Sequence, residues 1–338
     1  MKSRWIIFVI LLSVAASCAV AQSTAKKILI AGLPDATVAE LKNSAPPGVQ
    51  IVSVTPNQVV SEIADADALI TPKITGDQVR AAKRLQWVQI LNAGAEESLP
   101  ALKGTAVIVT NFKVVLGPEV ADHAMALLLS LTRGLYQTIP ARGHWQIPRG
   151  IAQVTELNGK TAVVLGVGGV GTQIAQRANA FGMAVIGVDP KDAAPPAFIQ
   201  KLVKPEQLDA ALPQADVLFV TVPETPATKG MIGAAQFAAM NRGAYFICVS
   251  RGTIYSTPAL IAALESRQLA GAGLDVTDPE PLPADHPLWK FENVVITPHI
   301  AGASNAAQGR VMDLLRENIR LFAAGQPLRN VVDKERGY

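Results

Sequence analysis

The stretch Thr161-Ala-Val-Val-Leu-Gly-Val-Gly-Gly-Val-Gly171, followed by Ala184-Val-Ile-Gly-Val-Asp189, decides the fold. A short apolar run broken at once by spaced glycines reads as a buried parallel strand turning tightly into a helix. Gly166 would make the turn, Gly168 would let the backbone approach a pyrophosphate, and Gly171 would let the helix pack close to its strand. Gly169 and Val170 would present amides at the helix N-terminus, where anions are favoured. Asp189 stands 18 positions after Gly171, where a carboxylate can take the ribose hydroxyls of a dinucleotide. That carboxylate would repel a 2′-phosphate, so NAD is expected rather than NADP, with Lys191 as the opposing charge.

Working outward, short apolar runs alternate with amphipathic ones, the pattern of parallel strands joined by helices. After Lys160 the strands are expected at Thr161–Leu165, Ala184–Val188, Asp216–Val220, Ala244–Val249, Gly271–Asp275 and Val294–Thr297. Before it they are expected at Lys27–Ala31, Val49–Val54, Ala68–Ile70, Trp87–Leu91 and Val107–Thr110. Glu119 to Leu135 reads as one long buried helix between the series, and Ala303 to Ala323 as a last helix that packs back on the first domain. The prediction is α/β with two doubly wound parallel-sheet domains. A Rossmann NAD-binding domain, residues 121–302, is inserted in a flavodoxin-like substrate domain, residues 22–120 and 303–338.

Three later segments end strands of the second series, where ligands of such sheets bind. They are Cys248-Val-Ser-Arg-Gly252, Leu274-Asp-Val-Thr-Asp-Pro-Glu-Pro281 and Thr297-Pro-His-Ile-Ala-Gly302. They can bring Arg251, Glu280 and His299 near a nicotinamide. An arginine fork holds a carboxylate, a histidine exchanges a proton near neutral pH, and a glutamate orients the imidazole.

On these motifs the chain resembles the D-isomer-specific 2-hydroxyacid dehydrogenases. Trp87-Val-Gln-Ile-Leu-Asn-Ala-Gly-Ala95 is similar to the family's substrate loop, Val120-Ala-Asp-His-Ala-Met-Ala-Leu127 to its interdomain helix, and Pro223 to Ile232 to the loop after its fourth nucleotide-domain strand. The resemblance implies that Arg251 holds the substrate carboxylate and carbonyl, His299 is the general acid/base and Glu280 assists it. It also implies that backbone amides at Ala93, Gly94 and Ala95 meet the substrate carboxylate and that Asp275 contacts the nicotinamide carboxamide. Val222, Pro223, Val249, Ser250, His299 and Gly302 complete the expected cofactor contacts. The implied reaction interconverts a small 2-keto acid and its (R)-2-hydroxy acid, in a homodimer. The different-class alternative is a non-catalytic NAD(H)-binding sensor.

The chain departs from the family at Cys248, where Asn is usual, at Val222, where Thr is common, and at Phe112-Lys-Val-Val-Leu116, which lacks a glycine. Cys248 reads as a buried residue at a strand end. His123 reads as a satisfied histidine of the interdomain helix, and His144 and His286 as loop residues.

Composition narrows the class. Hydrophobic residues make 49% and charged residues 17% of 338, the balance of a folded chain of about two domains. The formal charge of +3 and 5% aromatics do not suggest nucleic acid as a partner. Lys2 and Arg4 precede an apolar run from Trp5, and Ala19-Val20-Ala21 has the form of a cleavage site, so residues 1–21 are expected to be a signal peptide and the protein to be exported. Alternatives are a membrane anchor, lipid attachment at Cys18, or a cytoplasmic protein. Cleavage would leave 28 Lys and Arg against 27 Asp and Glu, with no stable membrane contact. It would leave Cys248 without a disulfide partner in the chain, and no Cys/His cluster has metal-ligand spacing, so no metal is expected.

Overall fold

The structure is a computed structural model that describes residues 25–143, 145, 154–192 and 194–338. The predicted signal peptide, Cys18 and His144 lie outside the described residues. The first sheet comprises β1 (Lys26–Ile30), β2 (Val49–Ser53), β3 (Ala68–Thr71), β4 (Trp87–Ile90) and β5 (Ile108–Thr110), in the order β2-β1-β3-β4-β5, all parallel. The second comprises β6 (Thr161–Leu165), β7 (Ala184–Val188), β8 (Lys201–Val203), β9 (Val217–Val220), β10 (Ala244–Cys248), β11 (Leu269–Leu274) and β12 (Val294–Ile296). Its order is β12-β11-β10-β9-β6-β7-β8, again all parallel.

Both sheets are covered on both faces, which is why their strands read as continuous apolar runs. In β1, Ile28 and Ile30 join one core while Leu29 between them joins the other, as the two-residue period of a strand requires. The helix Ala307–Ala323 supplies Met312, Leu315, Ile319 and Phe322 to the Ile28/Ile30 face, so the end of the chain closes the first domain. Phe322 packs on Trp87 with ring centroids 5.3 Å apart. Buried polar groups there are paired: the Trp87 indole N–H donates to the Thr110 hydroxyl at 2.8 Å, the hydroxyl donates to Gln89 Oε1 at 2.7 Å, and Asn318 of the helix donates to the same oxygen at 3.3 Å.

The long helix is Gly117–Thr132, shorter at its end than the expected Glu119–Leu135. Gly134 takes φ +68°, the left-handed conformation that stops helices, and a separate turn Leu135–Thr138 follows. Ala121, Ala124, Met125, Leu128 and Leu131 bury this helix against Ala162, Val164, Phe219 and Ile247 of the second sheet. The expected 120/121 boundary therefore falls inside its first turn.

The second sheet has seven strands where six were expected. The unanticipated β8 is a three-residue edge strand paired only with β7 and preceded by Pro195-Pro196, too short to register as a periodic run.

Candidate active site

The strand order of the second sheet reverses beside β6, whose neighbours are β7 and β9, and a crevice at the C-terminal strand ends follows from that topology. The residues singled out in this domain stand at those ends. Gly166 follows β6 at φ +91°, and a Cβ there would lie 3.0 Å from the backbone N and Cγ1 of Val222, after β9. Gly171 is jammed beneath: its Cβ would come 1.8 Å from the Gly166 carbonyl oxygen and 2.8 Å from Thr221 Oγ1. A Cβ on Gly169 would meet the Lys113 carbonyl oxygen of the other domain at 2.4 Å. Gly168, by contrast, faces open space, with nothing within 4 Å of its would-be Cβ.

Gly168 is also the N-cap of the helix Gly169–Ala180, whose first amides, Val170 included, sit at its positive end. Three glycines that the protein itself crowds beside one that it leaves clear is an arrangement that lets a pyrophosphate approach the backbone, so these residues fit a dinucleotide. Asp189 follows β7, with Oδ2 accepting the Val167 N–H at 2.8 Å and Oδ1 the Lys191 N–H at 3.0 Å. Lys191 reaches back towards the Val167 carbonyl at 3.5 Å. Burial and then the charge of Lys191 lower the pKa of Lys113, whose Nζ donates to the Val331 carbonyl. Lys113 was not among the residues read from sequence.

Asp275 follows β11 and is 2% exposed. Its Oδ1 accepts the Thr297 hydroxyl at 2.7 Å and the Ile300 N–H at 3.0 Å, and its Oδ2 accepts the Ala301 N–H at 3.0 Å. Burial pushes the carboxyl upward, but these bonds together with His123 hold it below the ordinary carboxylate value. His123 Nε2 lies 2.8 Å from Thr297 Oγ1 and 3.4 Å from Asp275 Oδ1, so its ring bonds the loop after β12 from the interdomain helix. His299 in that loop takes φ +53°, and its N–H donates to the Asp275 carbonyl at 2.9 Å. Its Nδ1 is 2.6 Å from Glu280 Oε1, with both side chains partly open to solvent. Gly302 of the same loop has Leu116 Cδ1 at 3.9 Å from its would-be Cβ.

Cys248, the last residue of β10, is buried and its thiol pKa is pushed up to about 11, chiefly by desolvation. Val249 donates to the Val220 carbonyl at 3.3 Å, and Ser250 is buried. Arg251 Nη1 donates to the Ser250 carbonyl at 2.6 Å, and its Nε donates to Glu96 Oε1 at 2.5 Å. Glu96 lies in the first domain, directly after Ala93-Gly94-Ala95, and was also not among the residues read from sequence. Arg251 and that loop are thus joined across the two domains. Gly252 presses on Thr277, with a Cβ 2.0 Å from its carbonyl carbon, so the Arg251 and Glu280 loops pack together. Pro223 accepts from Thr228 beside them at 2.6 Å, whereas His286 Nδ1 takes the Leu288 N–H as a local cap.

The arrangement can place a carboxylate-binding cation and a carboxylate-backed imidazole along one crevice edge, beside a glycine loop suited to phosphates.

Known proteins share this plan. Residues 125–301 match the family model described as D-isomer specific 2-hydroxyacid dehydrogenase, NAD binding domain. A glyoxylate reductase of Thermofilum pendens is 32% identical over 286 residues, covering 82% of this chain and 84% of that protein. A D-3-phosphoglycerate dehydrogenase of Archaeoglobus fulgidus is 34% identical over 288 residues, 82% of this chain, which spans 53% of that relative's length. The crystal structure of a D-isomer specific 2-hydroxyacid dehydrogenase from Xanthobacter autotrophicus Py2, in complex with NADPH and MES, superposes with a TM-score of 0.78 at 27% identity, over 93% of this chain and 100% of that one. With strand orders, glycine loop and relatives in agreement, the chain belongs to the D-isomer-specific 2-hydroxyacid dehydrogenase family.

Proposed function

We propose that the chain interconverts a small 2-keto acid and its (R)-2-hydroxy acid, using NAD. The observation that carries this reading is the His299 Nδ1–Glu280 Oε1 contact of 2.6 Å, with the Glu280 loop packed against the Arg251 loop at Gly252. A bound nicotinamide would supply or accept the hydride. Gly166, Gly168, Gly169, Val170 and Gly171 would form the loop that takes the phosphates, Asp189 would hold the ribose and Asp275 the carboxamide, with Val222, Pro223, Val249, Ser250 and Gly302 completing the cofactor site. Arg251 and the Ala93–Ala95 amides bind the substrate carboxylate, and the guanidinium polarises the carbonyl. Protonated His299 gives its Nε2 proton to the carbonyl oxygen during reduction and takes it back during oxidation. Glu280 favours the protonated ring and aims it.

NAD is preferred over NADP because the buried Asp189 carboxylate opposes a second phosphate, with Lys191 and Lys113 working the other way. The names of the relatives support catalysis over a sensor. The protein is proposed to act as an exported homodimer. Its test is loss of NADH absorbance with a panel of glyoxylate, hydroxypyruvate, pyruvate and phosphohydroxypyruvate, repeated with NADPH. Saturable turnover with NADH supports the reading, whereas NADH binding without any turnover refutes it in favour of the sensor. An N-terminus beginning at Gln22 in protein recovered from its host would support export.

A further inference from the structure

The guanidinium of Arg251 has one edge available for a substrate. Nη1 is spent on the Ser250 carbonyl, which leaves the Nε/Nη2 side of the fork to grip a carboxylate with two parallel bonds. Glu96 already holds that side through the 2.5 Å bond from Nε. Its carboxylate is folded back over its own loop: a Cβ on Gly94 would lie 2.1 Å from Glu96 Oε2, 2.7 Å from Oε1 and 2.6 Å from Arg251 Nη2. The amides of Ala93, Gly94 and Ala95 donate to no other described residue. Cation, carboxylate and open amides therefore meet at one place, and the pair is largely withdrawn from water, at 30% and 21% side-chain exposure.

We propose that Glu96 is a resident carboxylate that occupies the position of the substrate carboxylate, and that a 2-keto acid binds by displacing it from Arg251. This rests on the reading of Arg251 as the carboxylate-binding residue. Exchange of one carboxylate for another keeps the guanidinium paired throughout, so the half-buried cation is never left uncompensated. It also makes the enzyme bind its substrate more weakly than an Arg251 without a competitor would, because the gain from each new pair is offset by loss of the internal one. Glu96 thus sets substrate affinity from the opposite domain, 155 positions away in sequence.

The test compares the full-length protein with its E96Q and E96A variants, each saturated with NADH. Two quantities are read: KM and kcat for the best 2-keto acid, and the Kd of oxamate, a carboxylate-bearing substrate mimic, from nicotinamide fluorescence. Loss of the competitor is expected to lower both KM and the oxamate Kd by about tenfold, or about 1.4 kcal/mol. E96Q keeps the shape of Glu96 and E96A removes it, so agreement between them excludes a packing artefact. A weaker or unchanged oxamate Kd in both variants overturns the proposal, and a rise in KM with a fall in kcat identifies Glu96 instead as a group that positions Arg251. If the wild type binds oxamate yet turns over no 2-keto acid, the proposed function fails while the oxamate comparison still decides this inference. If turnover is seen and the variants bind oxamate no better, this inference fails alone.

Discussion

Two glycines three positions apart should respond oppositely to the same added methyl group. At Gly171 the Cβ would stand 1.8 Å from the Gly166 carbonyl oxygen and 2.9 Å from its carbon, both backbone atoms that no side-chain rotation can move. Relief needs the helix start or the turn to shift by over an ångström, so G171A should cost about 3 kcal/mol, the upper part of the range for overpacking. At about 2–4 °C per kcal/mol for domains of this size, Tm should fall by about 6–12 °C. At Gly168 the backbone lies at φ −81° and ψ −154°, open to alanine, and the new methyl would meet no protein atom within 4 Å. G168A should therefore leave the cofactor-free Tm unchanged or raise it slightly, since alanine restricts the unfolded chain by about 0.5 kcal/mol. Yet the methyl would fill the space assigned to the pyrophosphate, and NADH affinity should drop at least about tenfold. Thermal unfolding without cofactor, followed by circular dichroism, and NADH titration by fluorescence separate the two effects. Wild-type NADH affinity in G168A would refute the assignment of that space, and an unshifted Tm in G171A would refute the packing argument.

The remaining predictions concern single side chains. H299A should lower kcat by about 10² to 10⁴ with NADH affinity close to wild type, whereas E280Q, which keeps a hydrogen-bonding group on Nδ1, should lose less; equal losses would contradict the assisting role. D275N would set an amide NH2 against N–H and O–H donors and should cost about 1–3 kcal/mol in denaturant unfolding. Because the folded Asp275 pKa is depressed, its contribution is present above the unfolded carboxylate range and is lost as pH falls through the lower folded value, so the acid-side loss of stability should be shallower in D275N than in wild type. Cys248 works in the other direction: its thiol is raised from 9.0 to about 11, so the stability tied to it is complete below about pH 9 and fades as pH climbs to about 11. A two-unit shift in a fully buried group corresponds to at most about 3 kcal/mol, and C248A should flatten the alkaline slope of chemical stability by that order; identical slopes would remove the assignment.

Much of the architecture was legible because the elements that form it are short, apolar and repeated. Runs such as Ala162 to Leu165 are buried on both faces, and a strand so placed announces itself without knowledge of its neighbours. β8 escaped because an edge strand of three residues beginning at an exposed Lys201 carries neither length nor periodicity. The long helix was placed at the right site but extended too far, because Gly134 could be read as lying near the end but its left-handed backbone could not be read from composition. The other six strands of that sheet, unlike these details, need only that each apolar run find a parallel partner.

The site divides in the same way. Gly168, Asp275 and His299 could be proposed from sequence because each lies within three residues of a strand's C-terminal end, and the strand dictates where the backbone emerges even if the side chain's partner is unknown. Glu96 and Lys113 could not be found by that route. Glu96 follows a strand of the first domain, but what gives it meaning is Arg251, which lies in the second sheet's loops and was already explained by its own motif. Lys113 lies between β5 and the long helix, where it meets Gly169 only because that helix begins against the glycine loop: a Cβ on Gly117 would lie 2.8 Å from the Gly169 carbonyl oxygen. Pairings of this kind depend on how two domains meet, and no local period records it. The crevice therefore has one wall whose chemistry is written in motifs and another whose chemistry arises from the meeting of the domains, and it is on the second wall that Glu96 would set the strength of substrate binding.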